Sequence, residues 1–357
     1  MRARHPWIFS GAVAREPEAE PGAIVDVIGH DGEFLARGTY NPDSQIRVRV
    51  FTFEQEPIDA AFLTRRLTEA RRWRRALLPE NTDCFRVCFS EGDSLPGLIV
   101  DEYAGYAVIQ ILTAGAEALR GPIVDAVTAA IGPRGIYERS ESAFRADEGL
   151  EKRHGVLAGE EPPPELAVTE NGMRLIADIA HGQKTGLFLD QRDARKLAYK
   201  IADGRTVLNA FSYSGGFGAA AMIGGATRVV NVDSSARALE LGRRTYEANG
   251  LAVDDADFLD ADVFDFLRED GDAFGFVILD PPAFAKSQAG VSRALRGYKE
   301  IIMQGLRRLE PGGFLMAFSC SGHVDTALFQ KSFSARRSTC AARRRSCCAS
   351  ATRSTIR

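Results

Sequence analysis

Two apolar runs in this sequence stop at residues able to do chemistry. "FVIL" (276–279) ends at Asp280, followed by Pro281, Pro282 and Phe284, and "GGFLMAFS" (312–319) ends at Cys320. The prolines remove two N–H donors and stiffen the chain beyond the acid. Asp280 therefore stands on a rigid wall with an aromatic ring nearby, which suits a flat, polar base held against a reactive group. A tight turn after a buried strand is the structural alternative. Cys320, between Ser319 and Ser321, is placed to be an exposed nucleophile, although the commoner fate of a free Cys is burial as a small apolar side chain.

A second constellation lies upstream. "VLNAFSYSGGFGAAA" (207–221) reads as a strand, a Gly-bearing turn and a helix, and "VVNVD" ends a further strand at Asp233, eighteen residues after Gly215. That spacing suits an acid bonding two ribose hydroxyls, with the Gly215–Gly216 backbone close to the rest of a nucleotide. Dehydrogenases use the same device, but these glycines do not spell GxGxxG and no GK[ST] follows. A nucleoside fits better than a pyrophosphate. Asp262 in "LDADVFDFL" is placed either to bond an adenine amine or to cap a helix, and the residues alone do not separate the two.

The elements that position these residues alternate from about residue 190. Helices 191–203, 216–224, 235–248, 263–269 and 291–309 interleave with the strands "TVLNAF", "RVVNVD", "FGFVILD" and "GGFLMAFS". Alternation with continuous apolar strands predicts a parallel sheet with helices on both faces, whose ligands lie beyond the carboxyl strand ends. The first 55 or so residues predict a small β unit of "AIVDVIG", "EFLARGTY" and "QIRVRVF". Residues 58–77 predict an amphipathic helix with Ala60, Leu63, Leu67, Ala70 and Leu77 inward and Arg65, Arg72 and Arg75 on a solvated face. Strands at "CFRVCFS", "GLIVDEY", "YAVIQIL" and "GIYERS", and one helix near 116–131, follow. A Pro-rich linker (159–165) and a hairpin turning at Asn171–Gly172 complete the reading.

With 357 residues, 45% of them hydrophobic, the chain is long enough for two or three cored domains. No apolar run approaches ~18 residues, and the broken apolar start argues against a signal peptide, so a soluble, cytoplasmic protein without a membrane partner is expected. The six cysteines lack paired spacing and the five histidines lack ligand spacing, so neither a disulfide framework nor a metal is expected. Setting apart the seven arginines of the tail from Ser334 onward leaves a charge of −10 on the rest of a chain whose net charge is −3. Such a body needs a local basic face to meet RNA.

The series "NAFSYSGGFG", "NVD", "DADVF", "LDPPAF", "FSCSG" resembles the motifs of class I S-adenosylmethionine-dependent methyltransferases. With "RHPWIFSGAV", "FLARGTYNPDSQIRVRV", "GDSLPGLIVDEY", "ERSESAFRADEGLE" and "NGMRLIADIAHGQKTGLFLDQRDAR", it resembles more narrowly the bacterial large-subunit ribosomal RNA cytosine carbon-5 methyltransferases. The resemblance runs from residue 4 to about 333. It implies an N-terminal PUA-like β domain (1–57), an α+β middle domain (58–164) and a C-terminal Rossmann-like class I methyltransferase domain (165–333), followed by an aberrant or disordered basic tail (334–357).

S-adenosylmethionine is the implied cofactor, held by Asn209, Phe211, Ser212, Gly215, Gly216, Asp233, Asp262 and Asp280, with Gln191 and Arg192 lining the methyl-donor pocket. Large-subunit ribosomal RNA is the implied partner, and a homodimer is allowed. Cys320 matches the family's nucleophile, adding to carbon 6 of cytosine so that carbon 5 can take the methyl group. Asp280 would bond the base near its ring nitrogen and amino group.

The sequence departs from the family at both ends. The PUA-like unit is expected to lack its first strand, and the tail, with Cys340, Cys347 and Cys348, reads as out-of-frame translation or else as a basic arm. The strand ending at Ser319 would then be an open sheet edge. The alternatives are methylation of another base atom such as guanine N7, which needs no cysteine, and an RNA-binding remnant without catalysis. A Cys320–His323 thiol hydrolase and a nicotinamide dehydrogenase leave most of the motifs without a role.

Overall fold

Short runs of β-branched and aromatic residues, separated by turns, fold the first fifty residues into an antiparallel sheet. In the computed structural model, which describes residues 4–285, 287–334 and 350–352, its strands are β1 (Trp7–Phe9), β2 (Ile24–Ile28), β3 (Phe34–Tyr40) and β4 (Ile46–Thr52), in the order β1-β4-β3-β2. Alternation puts Ile8, Ala36, Tyr40, Val48 and Val50 into a common core. Cys340, Cys347 and Cys348 lie outside the described residues.

The chain divides into two units, one reaching to Gly172 and including Ala177–Leu189, the other holding Met173–Ile176 and the chain from Asp190. The first unit continues into α1 (Ala60–Leu77), capped by Asp59, whose carboxylate accepts the Phe62 N–H at 2.9 Å. Phe62, Leu63, Leu67 and Ala70 are buried, but Leu77 is 81% exposed: it ends the helix and Phe62 fills the apolar face instead. The arginine face is less free than expected. Arg65 pairs with Glu56 at 2.5 Å, and Arg75 donates to the Thr82 carbonyl at 2.5 Å and stacks on Phe85.

Beneath α1 lies a five-stranded sheet, β5 (Cys84–Phe89), β6 (Leu98–Tyr103), β7 (Tyr106–Ile111), β8 (Gly135–Ser140) and β9 (Arg153–Gly159), in sequential order. The β7–β8 ladder is parallel, joined by α2 (Ala114–Ala118) and α3 (Arg120–Ile131), so the single helix expected there breaks at Leu119. Buried Arg49 fastens the first sheet to this one: it reaches Glu91 at 2.9 Å and Glu148 at 2.8 Å. Glu148 also accepts from Asn41, Ser44 and the Ala114 N–H, which makes burial of the ion pair tolerable.

Strands β10 (Leu166–Glu170) and β11 (Met173–Ala177) turn at Asn171 (φ 52°) and Gly172 (φ 82°), the left-handed pair of a two-residue hairpin. The second unit then alternates α4 (Arg192–Ile201), β12 (Thr206–Ala210), α5 (Gly216–Ile223), β13 (Arg228–Asp233), α6 (Ala236–Ala248) and β14 (Phe258–Asp260). It continues through α7 (Val263–Arg268), β15 (Phe274–Leu279), α8 (Val291–Arg307), β16 (Leu309–Ser319), α9 (Thr326–Ser334) and β17 (Ser350–Thr352). The sheet order is β14-β13-β12-β15-β16-β17, and its ladders are parallel. Where an open edge was expected, Ala317–Ser319 pair with Ser350–Thr352.

Both faces of this sheet are apolar, as a parallel sheet covered by helices requires. Leu208, Val230, Val277 and Leu315 pack with Tyr298, Ile302 and Phe329, while Val207, Val229, Phe276 and Met316 pack with Ala198, Phe217 and Ala221. The register aligns Ala210, Val232, Leu279 and Ala317, so the chain leaves four neighbouring strands along one line. The order reverses between β12 and β15, and a cleft for a ligand forms at such a switch point.

Candidate active site

The expected site residues that follow the strands of the second unit lie at or just beyond that line, while Gln191 and Arg192 come from the start of α4. Asn209, the penultimate residue of β12, is fully buried and donates from Nδ2 to Asn231 Oδ1 at 2.9 Å, and Asn231 donates to the Tyr246 hydroxyl at 3.1 Å. Among the described residues, Asn209 Oδ1 and the buried hydroxyl of Ser212 find no hydrogen-bond partner. Two unsatisfied buried acceptors beside a strand end are costly unless a ligand reaches them.

The turn after β12 is strained. Phe211 (φ 59°), Tyr213 (φ 46°) and Gly215 (φ 72°) all hold left-handed backbone, which costs most at the two residues with side chains. Asp233 fixes this turn: its Oδ2 accepts the Tyr213 N–H at 2.8 Å and its Oδ1 the Ser235 N–H at 3.0 Å. Gly215 has a second reason to be glycine, because a Cβ there would stand 2.9 Å from the Gly242 Cα of α6. Gly216 opens α5, with its N-terminal N–H groups facing the cleft end of the sheet.

Asp262 is the N-cap of α7, its Oδ1 accepting from Phe264 N at 2.7 Å and Asp265 N at 3.2 Å. The capping role is therefore real, and the exposed carboxylate still has a second oxygen with which to meet a ligand. Phe211, Phe264, Phe284 and Tyr298 form a row of rings, with successive centroids 6.2, 5.7 and 4.7 Å apart. The first three are only partly buried and offer an apolar wall to a planar ring.

Asp280 follows β15, its N–H bonded to the Ala210 carbonyl at 3.3 Å, and its Oδ2 accepts from Gln191 Nε2 at 2.6 Å. Arg192 begins α4 with its Nε 4.0 Å from Asp193, and no described contact brings it to the Gln191–Asp280 pair. Cys320 is partly exposed, whereas Cys84 and Cys88 are buried. Burial pushes the Cys88 thiol far above the ordinary range, so it is no nucleophile. The Cys320 thiol donates to the Pro281 carbonyl at 3.5 Å, which sets it against the Asp-Pro-Pro wall.

Three participants escaped the sequence reading. Phe264 had only its neighbour Asp262 to point to it. Ser321 was noted as a flank of Cys320, yet its buried hydroxyl bonds both the Ala285 N–H and Tyr298. Asn231 carried the clearest signal, an amide inside an otherwise apolar strand. The residue set fits a methyl donor built on a nucleoside: unsatisfied acceptors at Asn209 and Ser212, a cradle at Gly215, an acid at Asp233 and an aromatic wall.

Comparison with known proteins agrees with this chemistry. Residues 125–338 match the S-adenosylmethionine-dependent methyltransferase family, and residues 1–53 match the PUA-like domain family. The chain is 46% identical to ribosomal RNA large subunit methyltransferase I of Photobacterium profundum over 93% of its own length and 85% of that protein's. It is also 46% identical to the protein of that name from Klebsiella pneumoniae, over 92% of this chain and 84% of the relative. Among solved structures, SMU.776, described as a candidate methyltransferase and complexed with SAH, superposes with a TM-score of 0.77 at 25% identity. That match covers 93% of this chain and 86% of the other.

Proposed function

Because the chain belongs to the S-adenosylmethionine-dependent large-subunit ribosomal RNA methyltransferases, we propose that it forms 5-methylcytosine in that RNA through a covalent adduct on Cys320. The observation that carries this reading is the partly exposed thiol of Cys320 against the Pro281 carbonyl, one residue from Asp280. The reaction would take place in the cytoplasm, on ribosomal RNA.

Carbon 5 of cytosine is a weak nucleophile. The Cys320 thiolate adds to carbon 6, forming an S–C bond and moving the ring electrons toward carbon 5 and the ring nitrogen. Asp280 accepts from the exocyclic amine and, when protonated, gives its proton to the ring nitrogen where charge gathers. Gln191 donates to Oδ2 of this carboxylate and so fixes the plane in which it meets the base. Bound S-adenosylmethionine supplies an electrophilic methyl group on a sulfonium. Carbon 5 takes that methyl and the donor leaves as the neutral thioether S-adenosylhomocysteine. A water-borne base then removes the carbon-5 proton, the ring nitrogen returns its proton to Asp280, and the S–C6 bond breaks to restore the aromatic ring and the thiolate.

For the donor, Asp233 would accept the ribose hydroxyls while Asn209 and Ser212 take up polar hydrogens with their unsatisfied oxygens. Asp262 would accept the adenine amine with the oxygen its helix cap leaves over, and Phe211 and Phe264 cover the ring. Gly215, Gly216 and Arg192 at the start of α4 close the remaining sides, while Gln191 turns to Asp280. The Pro281–Pro282 peptide stretch keeps the wall rigid and free of competing donors. The front sheet and α1 would hold RNA by its backbone.

Methylation of undermethylated large-subunit ribosomal RNA, mapped by bisulfite resistance, tests this reading. We expect product at cytosine with the native protein and none with Cys320→Ala. Undiminished methylation by Cys320→Ala would sink the adduct mechanism and point to a base atom that needs no thiol, such as guanine N7.

A further inference from the structure

The residue after the proposed nucleophile is built into the fold more firmly than the nucleophile itself. Ser321 is 4% exposed, accepts the Ala285 N–H at 3.1 Å and bonds the Tyr298 hydroxyl at 2.8 Å. Tyr298, on α8, is fully buried between Phe284, 4.7 Å away, and Phe329, 5.2 Å away. Ala285 is buried too, at the end of the loop that carries Asp280, Pro281, Pro282 and Phe284. Nothing in covalent geometry fixes the loop after β15 relative to the end of β16, since 39 residues separate Leu279 from Ser319.

Two contacts cross between these segments just beyond the ladder pair Leu279–Ala317, Ala285 N–H to Ser321 and Cys320 to Pro281, and a third ties Ser321 to Tyr298 on α8. We propose that Ser321 and Tyr298 form a buried pin that holds Cys320 at reacting distance from a base bonded by Asp280. They are positioning residues; neither touches the reacting atoms.

The reasoning is one of hydroxyl capacity. A serine hydroxyl has one donor and two acceptor sites, and here the backbone N–H and the phenol together fix its rotamer. Because Cys320 and Ser321 are adjacent, fixing one fixes the backbone that aims the other. Removing the Ser321 hydroxyl leaves the Ala285 N–H and the phenol without their partner, and the loop and strand end are then free to slide. An error of about 1 Å at reacting atoms costs on the order of a hundredfold in rate. Tyr298→Phe takes away one bond and leaves the N–H to Ser321 bond, so its effect is smaller. Ser321→Thr keeps the hydroxyl.

This inference rests on the Cys320 adduct reading, and the test separates the two. Large-subunit ribosomal RNA transcribed with 5-fluorocytidine arrests the adduct after methyl transfer, because fluorine at carbon 5 cannot leave as a proton does. The rate of adduct formation is read on denaturing gels for the native chain, Ser321→Ala, Ser321→Thr, Tyr298→Phe and Cys320→Ala, with S-adenosylmethionine affinity measured by calorimetry on each. Expected is a loss of at least about tenfold for Ser321→Ala, a loss of about threefold for Tyr298→Phe, near-native rates for Ser321→Thr, and donor affinity within about twofold throughout. Native adduct rates in Ser321→Ala, with none in Cys320→Ala, would overturn the pin alone. So would a rate loss that follows lost donor affinity, since that marks general collapse. No adduct with the native chain, while methylation of ordinary RNA proceeds, would overturn the cysteine reading and the pin with it.

Discussion

Gln191 and Asp280, eighty-nine residues apart in the chain, meet through a 2.6 Å hydrogen bond between Nε2 and Oδ2. Gln191 lies where the chain enters α4, and Asp280 leaves the fourth strand in chain order of the parallel sheet. The amide orients the carboxylate and commits one of its oxygens. A hydrogen bond to a charged group contributes about 1.5–3 kcal/mol. Gln191→Leu is therefore expected to lower kcat by about tenfold while leaving S-adenosylmethionine affinity nearly unchanged. Steady-state rates beside calorimetric affinities check this. A loss of affinity with kcat intact would make Gln191 a donor contact and not an orienter of Asp280.

Asp233 carries a different load. It holds the strained turn through the N–H groups of Tyr213 and Ser235, and in the proposed function it also takes the ribose hydroxyls. Asp233→Ala removes both roles. The expected result is a fall in S-adenosylmethionine affinity of about ten- to a hundredfold, the equivalent of one or two charge-assisted hydrogen bonds. Titration calorimetry measures it. Asp233→Asn should fall between the two, since its amide oxygen can still accept one N–H.

These roles were unevenly legible in the sequence. Asp233, Asp280 and Cys320 each end an apolar strand, and a strand that stops at a polar residue marks the ligand side of a doubly wound sheet. The parallel sheet itself followed from alternation. β1 and β9 did not: Trp7–Phe9 is too short to show a period, and the β9 run contains Gly155, at φ 130°, where few strand residues sit. The Ser321–Tyr298 bond depends on how α8 crosses β16, and no local pattern reports a crossing. Asp262 shows a further limit, since an N-cap and a ligand acceptor ask for the same side chain.

Gly218 and Gly121 both lie in helices, but Gly121 precedes Pro122 and Gly218 precedes Ala219. At Gly218 a Cβ would overlap Asn231 Oδ1 and stand 2.7 Å from the Tyr246 hydroxyl, whereas at Gly121 it would meet nothing within 4 Å. Alanine is intrinsically favoured over glycine in a helix by up to about 1 kcal/mol. At Gly121 that preference is opposed by the crowding of a Cβ against the following Pro122, so Tm should change little. At Gly218 overpacking against a buried amide pair reverses the sign, with a loss of about 1–3 kcal/mol. Thermal melts of Gly121→Ala and Gly218→Ala decide it, and equal shifts would mean that α5 can move away from the sheet.

Glu91 gives the attachment of the first sheet a pH dependence. Burial pushes its carboxyl up, but hydrogen bonds from Ser90 and Trp7 and the charge of Arg49 outweigh this, so its pKa lies below the ordinary glutamate value. A depressed folded-state pKa contributes stability above the unfolded value and loses it as pH falls through the folded one. The contribution is therefore complete at neutral pH and fades in the acid range, below where an ordinary glutamate titrates. The Trp7 Nε1 bond, at 2.8 Å, and the Arg49 pair, at 2.9 Å, weaken together over that window. Glu91→Gln is expected to lose about 1 kcal/mol at pH 7, with the difference from the native chain shrinking as the pH is lowered. Urea melts read through tryptophan fluorescence follow this, because Trp7 itself reports the contact. A difference that stayed constant with pH would show that the amide loses packing, and that the charge of Glu91 contributes nothing to holding the sheet.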